Sequence, residues 1–307
     1  MKQNEVTFLG KEDEELFKEY AAASFQVQVG LHELLGHGSG KLFEQSETGT
    51  HNFDVNTVRI PSLSDDNGVE QPVTTWYMPG ETWDSKFPVF GSSYEECRAE
   101  CVGIYLCLEE EALSIFGHSG QAAQDVVYIN WLMMARAGLV ALEVYRPETS
   151  SWGQAHMQAR FVILQVLLEI GEGFVSIERR DPGGLRITLD RTKIESHGKP
   201  AIGLFLQKLQ IFKSTANYKA GKELYDKYSS VSEEFIAFRE LVLEYKKPRR
   251  IMVQPHLTMA KEGASITLND SFTLDAGGMI ESFQQRFPVD QLGSSASWKA
   301  EVAAFAP

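Results

Sequence analysis

Two histidines bracket a glutamate in Leu31-His32-Glu33-Leu34-Leu35-Gly36-His37, on a stretch whose apolar spacing predicts an amphipathic helix. Residues of these types can hold a zinc ion and activate a water on it. The usual zinc-peptidase pattern sets its histidines at i and i+4 on one helical face, with the intervening Glu as general base. Here the second histidine comes one residue late. At roughly 100° per residue, an α-helix would set His32 and His37 about 140° apart, too far to share an ion. The spacing therefore demands a wider i→i+5 turn, a π-bulge, between them. Gly36, with its permissive backbone, is the expected place for it. Taken alone, such a cluster arises by chance and reads equally as a solvated helix end.

Catalytic zinc takes three protein ligands and leaves a fourth position open, so a third ligand has to come from elsewhere. Tyr94-Glu95-Glu96-Cys97-Arg98-Ala99-Glu100 offers carboxylates on a second helix. Glu96 and Glu100 lie one turn apart there, while Glu95 points away from them. One carboxylate can bind the metal while another orients a ligand histidine through its second ring nitrogen. By itself the stretch reads as an acidic solvated face paired with Arg98.

The elements that must position these residues follow from periodicity and breakers. A long helix is predicted over 11–37, ending at Gly38-Ser39-Gly40. Gly40-Lys41 is not a phosphate loop, because Leu35 stands where the first glycine is required and Leu42 follows the lysine. Residues 43–93 read as a long surface excursion with short strands. Within it Gly80–Phe87 mixes aromatics and charges, a composition suited to lining a cleft, though packing of the loop accounts for Trp83 and Phe87 equally well. Ser92-Ser93 are expected to cap a helix over 94–116, and further helices are expected over 119–145 and 152–170. The last carries His156 and Arg160 at i and i+4; alone, His156 reads as a satisfied structural histidine. Residues 174–180 and 185–191 read as strands joined across Asp181-Pro182-Gly183-Gly184. Helices resume over 200–214, 217–228 and 232–246. Strand-like runs at 251–253 and 265–268 and a helix over 278–286 complete the chain. The fold class expected is mainly α: a helical zinc-binding catalytic lobe over 1–248 with a small β hairpin, and a short mixed α/β C-terminal segment over 249–307.

A chain of 307 residues can bury a large core. Its net charge of −13 argues against nucleic-acid binding, which needs clustered cations to release counterions; the short basic runs at 179–180 and 246–250 do not overturn that. No apolar run is read as reaching the roughly 18–20 residues of a membrane helix, the best being Phe161–Leu168. The polar N-terminus lacks the apolar region of a secretory signal. Cys97, Cys101 and Cys107, an odd count, read as reduced core thiols and a cytoplasmic setting, with metal binding as the alternative.

Taken together, His32-Glu33-Leu34-Leu35-Gly36-His37 and Glu95-Glu96-Cys97-Arg98-Ala99-Glu100 resemble the paired signature of the dipeptidyl peptidase III family of zinc exopeptidases, whose first motif carries the extra residue. The resemblance extends through Gly38–Phe43, Gly80–Phe87, Gln154–Phe161 and Val253-Gln254-Pro255. It implies one zinc per chain on His32, His37 and Glu96, with Glu33 as base and His156 as a donor to the transition state. Glu95 and Glu100 then support the ligands, and Trp83, Asp84, Arg160, Arg249 and Arg250 fall at substrate-binding positions. The implied activity is removal of dipeptides from the N-termini of short peptides. Family members are longer, and the half that precedes residue 1 in them forms much of a second lobe that packs with the segment after about residue 250. The acidic loop over 44–70 differs from the family in composition, so no loop-mediated protein partner is carried over. Two readings compete: a zincin aminopeptidase that trims single residues, and a zinc-stabilised interaction module without catalysis.

Overall fold

A computed structural model describes residues 6–61, 69–180, 184–246, 252–259 and 265–287. The chain divides into two compact units, Met1–Lys246 and Lys247–Pro307. The first unit is mainly helical, with only small two-stranded antiparallel sheets among its described residues.

Helix α1 spans Lys11–Leu31, with Glu12, Asp13 and Glu14 in its first turn, where carboxylates complement the helix dipole. Its buried face runs Ser24, Val27, Gln28, Leu31, the i, i+3, i+4, i+7 stripe of a helix laid on a core. It passes directly into a π-helix over His32–His37. The following excursion carries the hairpin β1 (Arg59–Pro61) and β2 (Glu70–Pro72) and returns through α2 (Trp83–Lys86), capped reciprocally by Thr82 and Ser85.

Next come α3 (Gly91–Leu106), α4 (Glu110–Ile115) and α5 (Gly120–Val140), then the short pair β3 (Tyr145–Arg146) and β4 (Ser151–Trp152). Two expectations are corrected here. The predicted helix over 94–116 is broken at Cys107–Glu109, and it begins at Gly91. Ser93 is no cap: it is buried inside α3, and its hydroxyl donates to the Ala155 carbonyl and meets the Tyr225 hydroxyl. A third correction concerns α5. The Gly120–Val144 segment is long and apolar enough to cross a membrane by composition, yet 72% of its most apolar window is buried inside the fold. It is the central core helix, packed on α1 and on α6 (Ala155–Glu169) through residues such as Trp131, Leu132 and Leu139.

Strands β5 (Val175–Arg179) and β6 (Leu185–Leu189) pair as expected, from Val175↔Leu189 to Arg179↔Leu185; Asp181, Pro182 and Gly183 lie outside the described residues. Helices α7 (Lys199–Ser214), α8 (Tyr218–Ser229) and α9 (Glu233–Glu244) close the first unit. The second unit contains β7 (His256–Met259), β8 (Ile266–Asn269) and α10 (Ala276–Arg286), whose N-cap Asp275 accepts from the Gly278 amide. Met252 and Val253 are not in a strand.

Candidate metal centre

The π-turn does what the spacing demanded. It sets the His32 and His37 rings 4.7 Å apart at 85°, on one side of the chain. Gly36 serves it differently than expected. Its backbone needs no special freedom, but a Cβ there would sit 2.8 Å from the Cβ of Ala99 and 2.9 Å from its Cα. The missing side chain thus lets α3 lie directly under the π-turn and bring its carboxylates within reach.

The Glu96 carboxylate is the hub. Its Oε2 stands 3.2 Å from His32 Nε2, 3.5 Å from His37 Nε2 and 3.1 Å from His156 Nδ1. Yet this oxygen and His156 Nδ1 are both buried without a hydrogen bond. A buried, unsatisfied carboxylate oxygen is costly on its own. Ringed by imidazole nitrogens, it is the donor set of a cation. One atom each from His32, His37 and Glu96 lies within 4.8 Å of the others. Ligands of a tetrahedral zinc, each about 2.0–2.2 Å from the ion, stand about 3.4 Å from one another. The two Glu96–histidine distances match that spacing, so the residues present fit the metal.

Each histidine turns its other nitrogen to a further carboxylate. His32 Nδ1 faces Glu100 Oε2 at 3.4 Å. Glu100 in turn accepts from Gln28 Nε2 (2.7 Å) and Arg160 Nε (2.9 Å), while Asn130 Nδ2 donates to Gln28 Oε1 at 3.0 Å. Burial pushes the Glu100 carboxyl upward, but the His32 hydrogen bond, the Arg160 charge and the Gln28 amide outweigh it and hold it at about 2. Burial likewise pulls the His32 imidazole down, and Glu100, Glu96 and Glu33 more than reverse that. Gln28 is fitted tightly, since a Cβ on Gly103 would come within 2.4 Å of its Nε2.

On the other side, His37 Nδ1 faces Glu95 Oε1 at 3.1 Å. Glu95 was expected to point away from the metal face. It does not, because an imidazole is broad enough to span neighbouring positions of α3: Glu95 takes one ring nitrogen and Glu96 the other. Glu95 accepts from Arg98 Nη2 (2.6 Å), Arg98 Nε (3.0 Å) and Lys213 Nζ. Burial raises its carboxyl, and these two cations overcome that and lower it. Arg98 is fully buried, not the solvated partner of an acidic surface; it also donates to the Gly36 carbonyl at 2.6 Å and to Gln210 Oε1 at 3.1 Å.

Glu33 is exposed beside the histidines and lines a recess of about 300 Å3 together with His156 and Arg160. Trp83 stacks on Phe87 and lies near the Lys213 ammonium, and Asp84 is exposed; neither lines that recess. Arg249 and Arg250 lie outside the described residues. A larger cavity of about 580 Å3, lined by Leu113, Ala123, Val127, Arg191 and Ile194, contains none of the metal-centre residues, so size does not select the site. Sequence reasoning missed Gln28, Asn130 and Lys213. Gln28 alone left a signal, as a polar residue on the buried stripe of α1 one turn before His32.

Residues 1–287 match the peptidase family M49. Dipeptidyl peptidase 3 of Nematostella vectensis is 52% identical over 301 residues, covering 97% of this chain and 40% of that protein. The Homo sapiens protein of the same name is 49% identical over 296 residues, covering 94% and 39%, and that of Dictyostelium discoideum 44% over 294 residues, covering 94% and 41%. The chain thus spans about 40% of the length of the relatives it matches. Among solved structures, DPP III from Caldithrix abyssi aligns with a TM-score of 0.48 at 20% identity, over 78% of this chain and 35% of that one.

Proposed function

The chain belongs to peptidase family M49, and from that membership we propose that it is the metal-bearing part of a zinc-dependent exopeptidase releasing dipeptides from the N-termini of short peptides. The observation that carries the proposal is the unsatisfied Glu96 Oε2, buried among three imidazole nitrogens.

In this reading His32 Nε2, His37 Nε2 and Glu96 Oε2 hold one zinc. When bound, zinc supplies Lewis acidity, polarising a peptide carbonyl and lowering the pKa of water toward about 7. Glu100 and Glu95 accept from the Nδ1–H groups of His32 and His37, which fixes each ring with its Nε2 lone pair toward the ion. The Glu33 carboxylate takes a proton from the attacking water and delivers it to the leaving amine nitrogen. The carbonyl carbon gains the water oxygen, and the peptide C–N bond breaks. His156 donates a ring N–H to the oxyanion that forms in between. Arg160, tied to Glu100, forms part of the substrate-binding wall. The buried free thiols Cys97, Cys101 and Cys107 suit a cytoplasmic protein.

Elemental analysis of the purified chain tests the ligand set. About one zinc per chain is expected, and Glu96→Ala should abolish it, as a ligand loss exceeds the 10–100-fold effect of losing an outer partner. Unchanged zinc in that variant removes Glu96 from the set. Mass spectrometry of digested short peptides tests the reaction: dipeptides are expected first, and single amino acids as first products exclude it.

A further inference from the structure

Three contacts join α3 to the first turns of α6. The Ser93 hydroxyl donates to the Ala155 carbonyl at 3.1 Å, Glu96 Oε2 meets His156 Nδ1 at 3.1 Å, and Arg160 Nε donates to Glu100 Oε1 at 2.9 Å. Ser93, Glu96 and Glu100 succeed one another at i, i+3 and i+7, along one face of α3. The outer two contacts are hydrogen bonds, whereas the middle one joins the two unsatisfied atoms. His32 and His37 are each turned by a second carboxylate. His156 is 43% exposed at its side chain, and among the described residues Glu96 is the one carboxylate within ion-pair distance of it. Its ring is therefore placed by the backbone from which it hangs.

That backbone is pinned from behind. The Ala155 carbonyl belongs to the peptide unit that leads into His156, so the Ser93 bond restrains the His156 Cα directly. Ser93 is 4% exposed, and Tyr225 of α8 is fully buried. The Tyr225 hydroxyl contacts the Ser93 hydroxyl and donates to the Ser93 carbonyl at 2.9 Å. A second tie from the end of α8 is the Ser229 carbonyl, which accepts from Trp152 Nε1 at 3.1 Å just before α6 begins. Alanine would suit the interior of α3 better than serine, and a buried hydroxyl is kept where it is bonded. We propose that Ser93, backed by Tyr225, is a positioning residue that holds the peptide unit before His156 at a fixed height over Glu96. This rests on the peptidase reading above, in which His156 donates to the oxyanion. Such a donor has to stand within about 2.7–3.1 Å of the forming oxyanion, and a misplacement of roughly 1 Å is costly. Both hydroxyls act through the backbone of α6.

Cobalt(II) in place of zinc makes the centre paramagnetic, and the shift it induces in the His156 ring protons falls with the cube of their distance from the ion. Proton NMR of the cobalt-loaded chain, with the His156 signals assigned by their loss in His156→Gln, reads that distance without turnover. Ser93→Ala should at least halve the induced shift while the His32 and His37 signals stay in place. Tyr225→Phe, which keeps the ring and its packing, should act in the same direction and more weakly. The double variant should match Ser93→Ala, because Tyr225 works through Ser93, and Ser93→Thr, which keeps the hydroxyl, should restore the shift. An unchanged His156 shift in Ser93→Ala, a collapse of all the histidine shifts together, or additive effects in the double variant would each overturn the proposal. Absence of cobalt uptake would reject the metal centre and this role with it. Dipeptide release is scored separately. There Ser93→Ala should lower kcat about tenfold or more, part of the roughly 10²–10³-fold that one oxyanion donor supplies, and leave KM nearly unchanged. A displaced His156 in a chain that releases no dipeptides keeps the positioning role and rejects the activity; full-rate dipeptide release from Ser93→Ala with His156 in place does the reverse.

Discussion

His32 and His37 come from a single turn and share Glu96, and each leans on a second carboxylate from the same helix, yet the two halves are built from different materials. His32 is 6% exposed, and its carboxylate, Glu100, is held by a neutral amide from α1, backed by Asn130, and by Arg160 at the recess. The His37 side chain is 32% exposed, and its carboxylate, Glu95, is clamped between the fully buried Arg98 and Lys213. One half is secured by a fitted amide and a partly exposed arginine, the other by two buried cations. The histidine rings of the candidate centre can be held either way, but the failures differ. An amide fails by displacement, whereas a buried cation fails by leaving its partner's charge uncompensated.

Arg98→Met attacks the charged half and should cost about 3–5 kcal/mol, the usual penalty for breaking a buried ion pair, with Lys213 left as the remaining cation on Glu95. Gln28→Leu attacks the fitted half and should cost about 1–3 kcal/mol, since one hydrogen bond to the Glu100 carboxylate is lost while Arg160 still pairs that charge. Chemical denaturation of the metal-free chain measures both, and the reverse ranking would refute the contrast. Acid provides a milder probe. Glu100's folded-state carboxyl, near 2, lies below the ordinary 4.5, so its contribution is complete above the unfolded value and is lost as the pH falls from about 4.5 toward 2. That loss is on the order of 3 kcal/mol, and Glu95, also lowered, acts in the same direction. Denaturation midpoints should therefore fall steeply over that range in the parent chain and less so in Glu100→Gln; parallel curves would place the acid sensitivity elsewhere.

Metal affinity separates the halves further. Loss of an outer partner weakens binding about 10–100-fold. Glu100→Gln should lie at the upper end, because His32 and Glu100 are both buried and solvent has little access to replace the lost carboxylate. Glu95→Gln should lie at the lower end, because solvent is available beside His37. Competition for zinc with a chromophoric chelator decides, and equal losses would mean exposure is irrelevant to the support. The subtlest test is Gly103→Ala, whose new methyl displaces the Gln28 amide. Alanine favours a helix interior by about 0.5–1 kcal/mol, so overall stability should scarcely change while zinc affinity drops severalfold. If affinity is unaffected, Gln28 does not position Glu100.

Much of the centre could be read before any fold was known. The i→i+5 histidine spacing has one geometric solution, and the π-helix over His32–His37 is that solution. Glu96 and Glu100, one turn apart, both face His32, as the helical spacing allowed. Glu95 was misread because its direction was judged from the face of α3 alone, whereas its target is set by where His37 hangs above that helix. Arg98 was misread because burial of a charge depends on distant partners, here Gly36, Ser39 and Gln210. The α3–α4 break at Cys107–Glu109 carries no glycine or proline to announce it. The apolar length of α5 was hidden by Gln121, Gln124, Asp125, Asn130 and Arg136, which interrupt the run without interrupting the helix.

The order of residues thus dictates the inventory of candidate ligands and the distorted turn, because each depends on spacing within its own segment, governed by local backbone geometry. Which carboxylate meets which nitrogen, and what holds that carboxylate still, depends on α1, α5, α6 and α7 converging on α3. Hydrogen bonds and burial are made between segments far apart in the chain, and no local pattern records them.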